Sequence, residues 1–210
     1  MRTKIGVLVL LAFLFLPVCA QATTIWTEGH HVIDANQTYD GVIEMYNDSS
    51  LDMYSGSIQS IEAYDETIIN LRDGHITEFR AYGESTFNVL GGDINQLMSL
   101  ETSITNLYAG EIYALWGKKN SIINIYNSQI DILMAMENSI VNLYAYDIIH
   151  TVTGGIYNLG QVTGKYYLDD SSFCFDLAYG DGNVYSHINI VPEPTMLMLL
   201  SFGGLLLRKK

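Results

Sequence analysis

The chain has 210 residues, ten Lys and Arg against 23 Asp and Glu for a formal net charge of −13, and a hydrophobic fraction of 49%. So acidic a chain repels phosphate backbones, which argues against nucleic-acid binding and disfavours anionic membrane surfaces. Its length suits a single domain, and two cysteines are too few for a disulfide framework.

Residues 1–22 read as an export signal. Arg2 and Lys4 make a positive start, Ile5 to Val18 an apolar stretch, and Ala20-Gln21-Ala22 a small-residue cleavage site. The alternative, a transmembrane helix, needs about 20 apolar residues, more than this stretch supplies. Lipidation of Cys19 does not fit the preceding Leu16-Pro17-Val18, which offers no small residue before the cysteine. The mature chain is expected to begin near Thr23. Cys174 is then its only cysteine, although an exported compartment would permit disulfides.

The segment from Thr24 to Val42, with Trp26 and the alternation His31, Ile33, Ala35, is expected to cap the start of a regular body. That body, residues 23–153 with its cap, is set by an internal repeat. Asp52, Asn70, Asn88, Asn106, Asn124 and Asn142 recur every 18 residues without an insertion, as do Ile58, Ile76, Ile94, Ile112, Ile130 and Ile148. Ser49, Thr67, Ser85, Ser103, Ser121 and Ser139 form a third column in the same register. Gly56, Gly74, Gly92 and Gly110 mark a turn, which later copies fill with Ser128 and Tyr146.

Alternation within one copy resolves two faces. Ile123 and Ile125 point inward, while Ile122, Asn124 and Tyr126 point outward; after a turn at Asn127-Ser128, Ile130 and Leu133 are inward and Ala135 is small near the next corner. The period predicts an all-β protein, a single-stranded parallel β-solenoid or β-helix of about six 18-residue turns stacked at about 4.8 Å. A left-handed hexapeptide helix would need aliphatic residues six apart, and Ile58, Tyr64 and Asn70 do not supply them. Stacking places Asn70, Asn88, Asn106, Asn124 and Asn142 in a structural hydrogen-bonded ladder.

Two outward rows of tyrosine follow, Tyr54, Tyr108, Tyr126 and Tyr144 in one and Tyr46, Tyr64 and Tyr82 in the other. A tyrosine ring offers an apolar face and a hydroxyl, so the first row is a candidate glycan-binding track for an extracellular polysaccharide; the plainer reading is a stiffened sheet face. Asp48, Glu66 and Glu84, with Asp65 adjoining, form an acidic edge that fades to Thr102, Asn120 and Asn138. It reads as a solvated edge, the alternative being a Ca²⁺ site. His30, His31, His75, His150 and His187 lack metal-ligand spacing, and no phosphate loop, nucleophile elbow or zinc motif is present. Hence no catalytic residue, metal or cofactor is expected.

Residues 154–190 break the period, are rich in aromatic residues and contain Asp181-Gly182, a hairpin signal, so a β-hairpin C-terminal cap is expected. Residues 191–210 form a tail: Pro192-Glu193-Pro194, the apolar run 195–207 with Gly203-Gly204, then Arg208, Lys209 and Lys210. As a helix the run would rise about 20 Å, short of a roughly 30 Å hydrocarbon core, which suits transient membrane tethering with the basic end held on the cytoplasmic side.

This three-part tail resembles the PEP-CTERM sorting signal. The resemblance covers only the tail and implies recognition and removal by an exosortase-type processing enzyme, with delivery to the cell surface or extracellular matrix. A short anchor that stays is the alternative. Without the signal and the tail, the basic residues fall from ten to five and the acidic ones from 23 to 22, leaving a body of net charge −17. The expected function is that of a non-enzymatic structural or adhesive surface component; the rivals are a carbohydrate-binding module and, third, a polysaccharide lyase or hydrolase.

Overall fold

The computed structural model describes residues 22–192 apart from 36, 158 and 179–182. Short strands β2 (His30–Ile33), β4 (Ser50–Met53), β6 (Ile68–Leu71), β8 (Thr86–Val89), β10 (Ile104–Leu107), β12 (Ile122–Ile125), β14 (Ile140–Leu143) and β18 (Ile188–Ile190) lie side by side in one parallel sheet. Strands β1 (Thr23–Trp26), β3 (Thr38–Met45), β5 (Ser57–Ala63), β7 (His75–Ala81), β9 (Asp93–Ser99), β11 (Glu111–Gly117) and β13 (Gln129–Ala135) stack in parallel in a second sheet. That sheet continues through β17 (Ser172–Leu177), β16 (Gln161–Tyr166) and β15 (Ala145–Thr151). The protein is a β-solenoid of about seven turns.

The alternation seen in the sequence is what builds the core. Along β12, Ile123 and Ile125 are fully buried while Ile122 and Asn124 face outward. The longer strands bend in the middle: Ile112 and Leu115, three residues apart, both point inward, and the pairing of β11 with β13 skips Tyr113 and Asp131. Ile58, Ile76, Ile94, Ile112 and Ile130 are at most 2% exposed and stack into one apolar column. Each such side chain stabilises the fold by about 1.5–3 kcal/mol. Phe79 and Phe87 meet across the core with ring centroids 3.8 Å apart.

One corner is made by Gly56, Gly74, Gly92 and Gly110, all in the left-handed region. A methyl group on Gly110 would lie 2.8 Å from the Gly92 carbonyl oxygen, so this corner needs glycine for space as well as for φ. The other corner places Asn47, Asp65, Gly83, Glu101, Lys119 and Glu137 at φ near +60° in every turn. Here acids from the next turn offset the strain: Asp65 accepts from the Asn47 backbone N–H at 3.1 Å, and Glu101 from that of Gly83 at 3.2 Å.

Two sequence expectations change. The segment read as an N-terminal cap is itself a stacked turn, since β2 pairs with β4 and β3 with β5. It escaped the period because His30 pairs with Ser50, 20 residues on, and because a bulge between Tyr39 and Val42 shifts the β3–β5 register from 19 to 18. At the other end, Ile148 does not stack on Ile130. The strand that carries it, β15, pairs antiparallel with β16, and β17 takes the place above β13.

The expected β-hairpin cap is present as β16–β17, which β15 extends into an antiparallel meander, and it is followed by a short 3₁₀ turn at Val184–His187 and by β18. Asp181-Gly182 lies outside the described residues.

Candidate functional site

The outer face of the eight-stranded sheet carries the amide ladder. Asn70, Asn88, Asn106, Asn124 and Asn142 each donate through Nδ2 to Oδ1 of the residue 18 positions earlier, at 2.8–2.9 Å. Asn189 of β18 extends the ladder beyond the repeat, donating to Asn142 at 3.3 Å. Asp52 fixes the direction. A carboxylate offers two acceptor oxygens and no amide proton, so Asn70 must turn its NH₂ towards it, and every later amide follows. His30 lies 3.6 Å from Asp52 beyond that end.

Beside the ladder, Tyr108, Tyr126 and Tyr144 stack ring on ring, with centroids 4.7 and 4.2 Å apart and planes within 20°. Both faces of Tyr126 are therefore covered by its neighbours, and the row presents ring edges to solvent. Burial, and then the adjacent Tyr144 phenol, raise the Tyr126 pKa. Tyr54 is separated from this row by Arg72 and Leu90, and the Arg72 guanidinium sits 5.3 Å from the Tyr54 ring centroid. The predicted track is thus one tyrosine at one end and a stack of three at the other.

The second row behaves likewise. Tyr46, Tyr64 and Tyr82 stack at 4.9 and 4.8 Å, with the Tyr46 and Tyr64 hydroxyls donating to Glu44 and Glu62. Arg80 bridges Glu62 and Glu78. Burial works against the Arg80 charge, but the two carboxylates outweigh it and its pKa rises.

The acidic edge is spread along an exposed corner, where Asp65 is engaged by the Asn47 backbone and Asn138 donates to Asn120 at 3.2 Å. Among the described residues no group of three or more His, Cys, Asp and Glu is placed to hold a metal ion. The histidines lie apart: His31 stacks on Trp26 at 4.1 Å, His150 on Tyr185 at 3.9 Å, and His187 contacts the Ser139 carbonyl oxygen at 3.0 Å.

Two hollows flank the turn from Tyr167 to Ser171. One, of about 310 Å³, is walled by Tyr108, Tyr126, Tyr144, Tyr167 and Leu168. The other, of about 500 Å³, opens between residues 127–130 and residues 172–174. On its rim Asn127 donates to Asp169 at 2.9 Å, the Ser171 hydroxyl to Asn127 at 3.3 Å, and the Ser171 backbone N–H to Asp169 at 2.9 Å. Ser171, with Asn127 adding to it, holds the Asp169 carboxyl below the usual range.

Sequence reasoning placed Asn127 only in a turn and did not single out Asp169 or Ser171. The one signal was the end of the glycine column at Ser128, beside this hollow.

Of the sorting residues, Pro192 is the last one described, and Val191 before it still donates its N–H to the Leu143 carbonyl at 2.9 Å. Glu193, Pro194, the run 195–207, Arg208, Lys209 and Lys210 lie outside the described residues, as does the export signal through Gln21. No protein-family model, no curated protein and no solved structure matches this chain.

Proposed function

We propose that this chain is an exported, non-enzymatic structural or adhesive component of the cell surface or extracellular matrix, sorted and processed through its C-terminal tail. One observation carries the reading of the body. From Ser50 to Leu143 each turn stacks on the next in an 18-residue register, and outward polar and aromatic groups in the repeats largely engage their own copies in neighbouring turns. Enzymes built on solenoids assemble their sites from loops inserted between turns, and these repeats contain no such insertion.

The address rests on the resemblance of residues 192–210 to the PEP-CTERM signal. The backbone pairing of Val191 supports it: the folded body runs up to Pro192, so Pro192-Glu193-Pro194 stands between the last paired residue and the apolar run, where a processing enzyme would meet it. Mass spectrometry of the native-host protein tests this. The surface form should end near Pro192-Glu193-Pro194 and lack Arg208 to Lys210, and replacing the three residues by Ala should strand the protein in the membrane with its tail. A wild-type surface form that keeps Lys210 overturns the processing reading.

A further inference from the structure

We propose that the 500 Å³ hollow beside the turn Tyr167–Ser171 binds the end of a neutral or amino-sugar glycan. This names a ligand class for the adhesive role and rests on that reading. The hollow exists because stacking fails at one place. β11 pairs with β13 from Glu111↔Gln129 to Gly117↔Ala135, whereas β17 pairs with β13 only at Ile132↔Asp176 and Leu133↔Leu177. Before that point the two strands diverge. In the turn below, the Gly110 carbonyl accepts the Gln129 backbone N–H at 3.0 Å; its counterpart at Ser128 accepts the Tyr166 hydroxyl instead, at 2.7 Å. A side chain has replaced the next turn's backbone, and space opens beside it.

The lining of that space is amphiphilic. Tyr166 and Phe173, buried and 4.6 Å apart, supply an apolar floor. Asn127, Gln129, Asp169 and Ser171 line the opening with donors and acceptors. The hydrogen bonds among Asn127, Asp169 and Ser171 fix the ionised carboxylate before any ligand arrives, which lowers the ordering cost of binding. Vicinal sugar hydroxyls each donate and accept, and a carboxylate beside an amide matches such a pair.

The volume is within the usual range for a small-ligand site. Across the turn lies the apolar hollow of Tyr108, Tyr126 and Tyr144. Tyr126-Asn127 and Leu168-Asp169 each give one residue to each hollow, so a longer chain leaving the polar hollow could lay its apolar side against the ring edges. A body of net charge −17 selects against uronic or sulfated polymers and favours neutral or cationic sugars.

The test uses the full chain in mild detergent on an array of neutral, N-acetylated, free-amine and uronic-acid oligosaccharides. The wild type should retain neutral or amino sugars and ignore uronic acids. Asp169→Ala and Asn127→Ala should each weaken retention at least tenfold, while Ile68→Ala, exposed on β6 away from both hollows, should leave it unchanged. Cys174 is exposed on the wall of the hollow, so labelling it with a bulky maleimide should block binding without any substitution, which covers the case of a variant that misfolds.

Preference for uronic acids, retention unaffected by maleimide, or no retention of any sugar overturns the site. A protein that is tail-processed and surface-located yet silent on the array would sink the site alone; sugar binding by a protein that keeps its tail would sink the processing reading alone.

Discussion

Asn106→Asp isolates the direction of the amide ladder. Asn106 donates to Asn88 Oδ1 at 2.9 Å and accepts from Asn124 Nδ2 at 2.8 Å. The carboxylate keeps the second bond but sets an oxygen against the Asn88 oxygen, two acceptors at hydrogen-bond distance. Flipping Asn88 and Asn70 moves the conflict and cannot remove it, because the ladder already ends on the carboxylate of Asp52.

The loss is one hydrogen bond, about 1 kcal/mol, plus the desolvation of an opposed acceptor and a half-buried charge, for a total of about 2–4 kcal/mol. Asn106→Ala removes the group without introducing the clash and should cost about 1–2 kcal/mol. Asp52→Asn, at the terminal acceptor, should change stability by less than about 0.5 kcal/mol.

In the Asn106→Asp variant the fold disfavours the ionised form of the introduced carboxyl, so the deficit relative to wild type is full at neutral pH. It should shrink as the pH falls towards about 4, where a protonated carboxyl can donate to Asn88. Denaturant midpoints of the three variants and wild type, at pH 7 and near pH 4, measure this. Equal midpoints for Asn106→Asp and wild type at pH 7 would refute the polarity argument.

Ile112→Asp places a carboxylate between Ile94 and Ile130 and should cost several kcal/mol, more than any ladder variant; an unchanged thermal transition would contradict the inward assignment. Gly110→Ala should cost about 2 kcal/mol or more, because φ is +101° and the new methyl meets the Gly92 carbonyl; full wild-type stability would show that the corner can relax. A hydrogen bond to Asp170, with burial and the Asp170 charge adding to it, pushes the Tyr146 phenol up to about 12. Unfolded tyrosines ionise near 10, so stability should fall as the pH rises from about 10 to about 12, and Asp170→Asn should bring the Tyr146 transition back down in an ultraviolet titration. An unshifted titration in that variant would contradict the cause assigned here.

The repeat was readable because its signals are local and redundant. Inward Ile58 to Ile130, the ladder amides and the glycine corner each repeat the same phase, and stacking makes identical residues neighbours. Where that redundancy ends, so does legibility. The first turn differs by one or two residues, absorbed in the β3 bulge, and so hid among apparent cap residues.

Ile148 kept the sequence phase but not the register. Tyr146 stands where Gly110 stood, and the left-handed residue is Asp147, one position later. β15 leaves the stack there. The hollow depends on contacts 38 or more residues apart, such as Ser128 with Tyr166 and Asn127 with Asp169, which no local pattern encodes.

The coil geometry has a mechanical side. The chain enters at β1 and leaves after β18, at opposite ends of the stack, so tension on the termini acts along the axis. Each turn adds about 4.8 Å of height but contains 18 residues, which reach about 60 Å when drawn out. Interstrand hydrogen bonds lie along the line of pull and open one strand at a time from either end. A turn that peels away therefore lengthens the molecule by more than ten times its folded height, at a force set by a single strand, while the turns below stay wound. Over the regular repeats from Ser50 to Leu143, such lengthening would come in equal steps of one 18-residue turn.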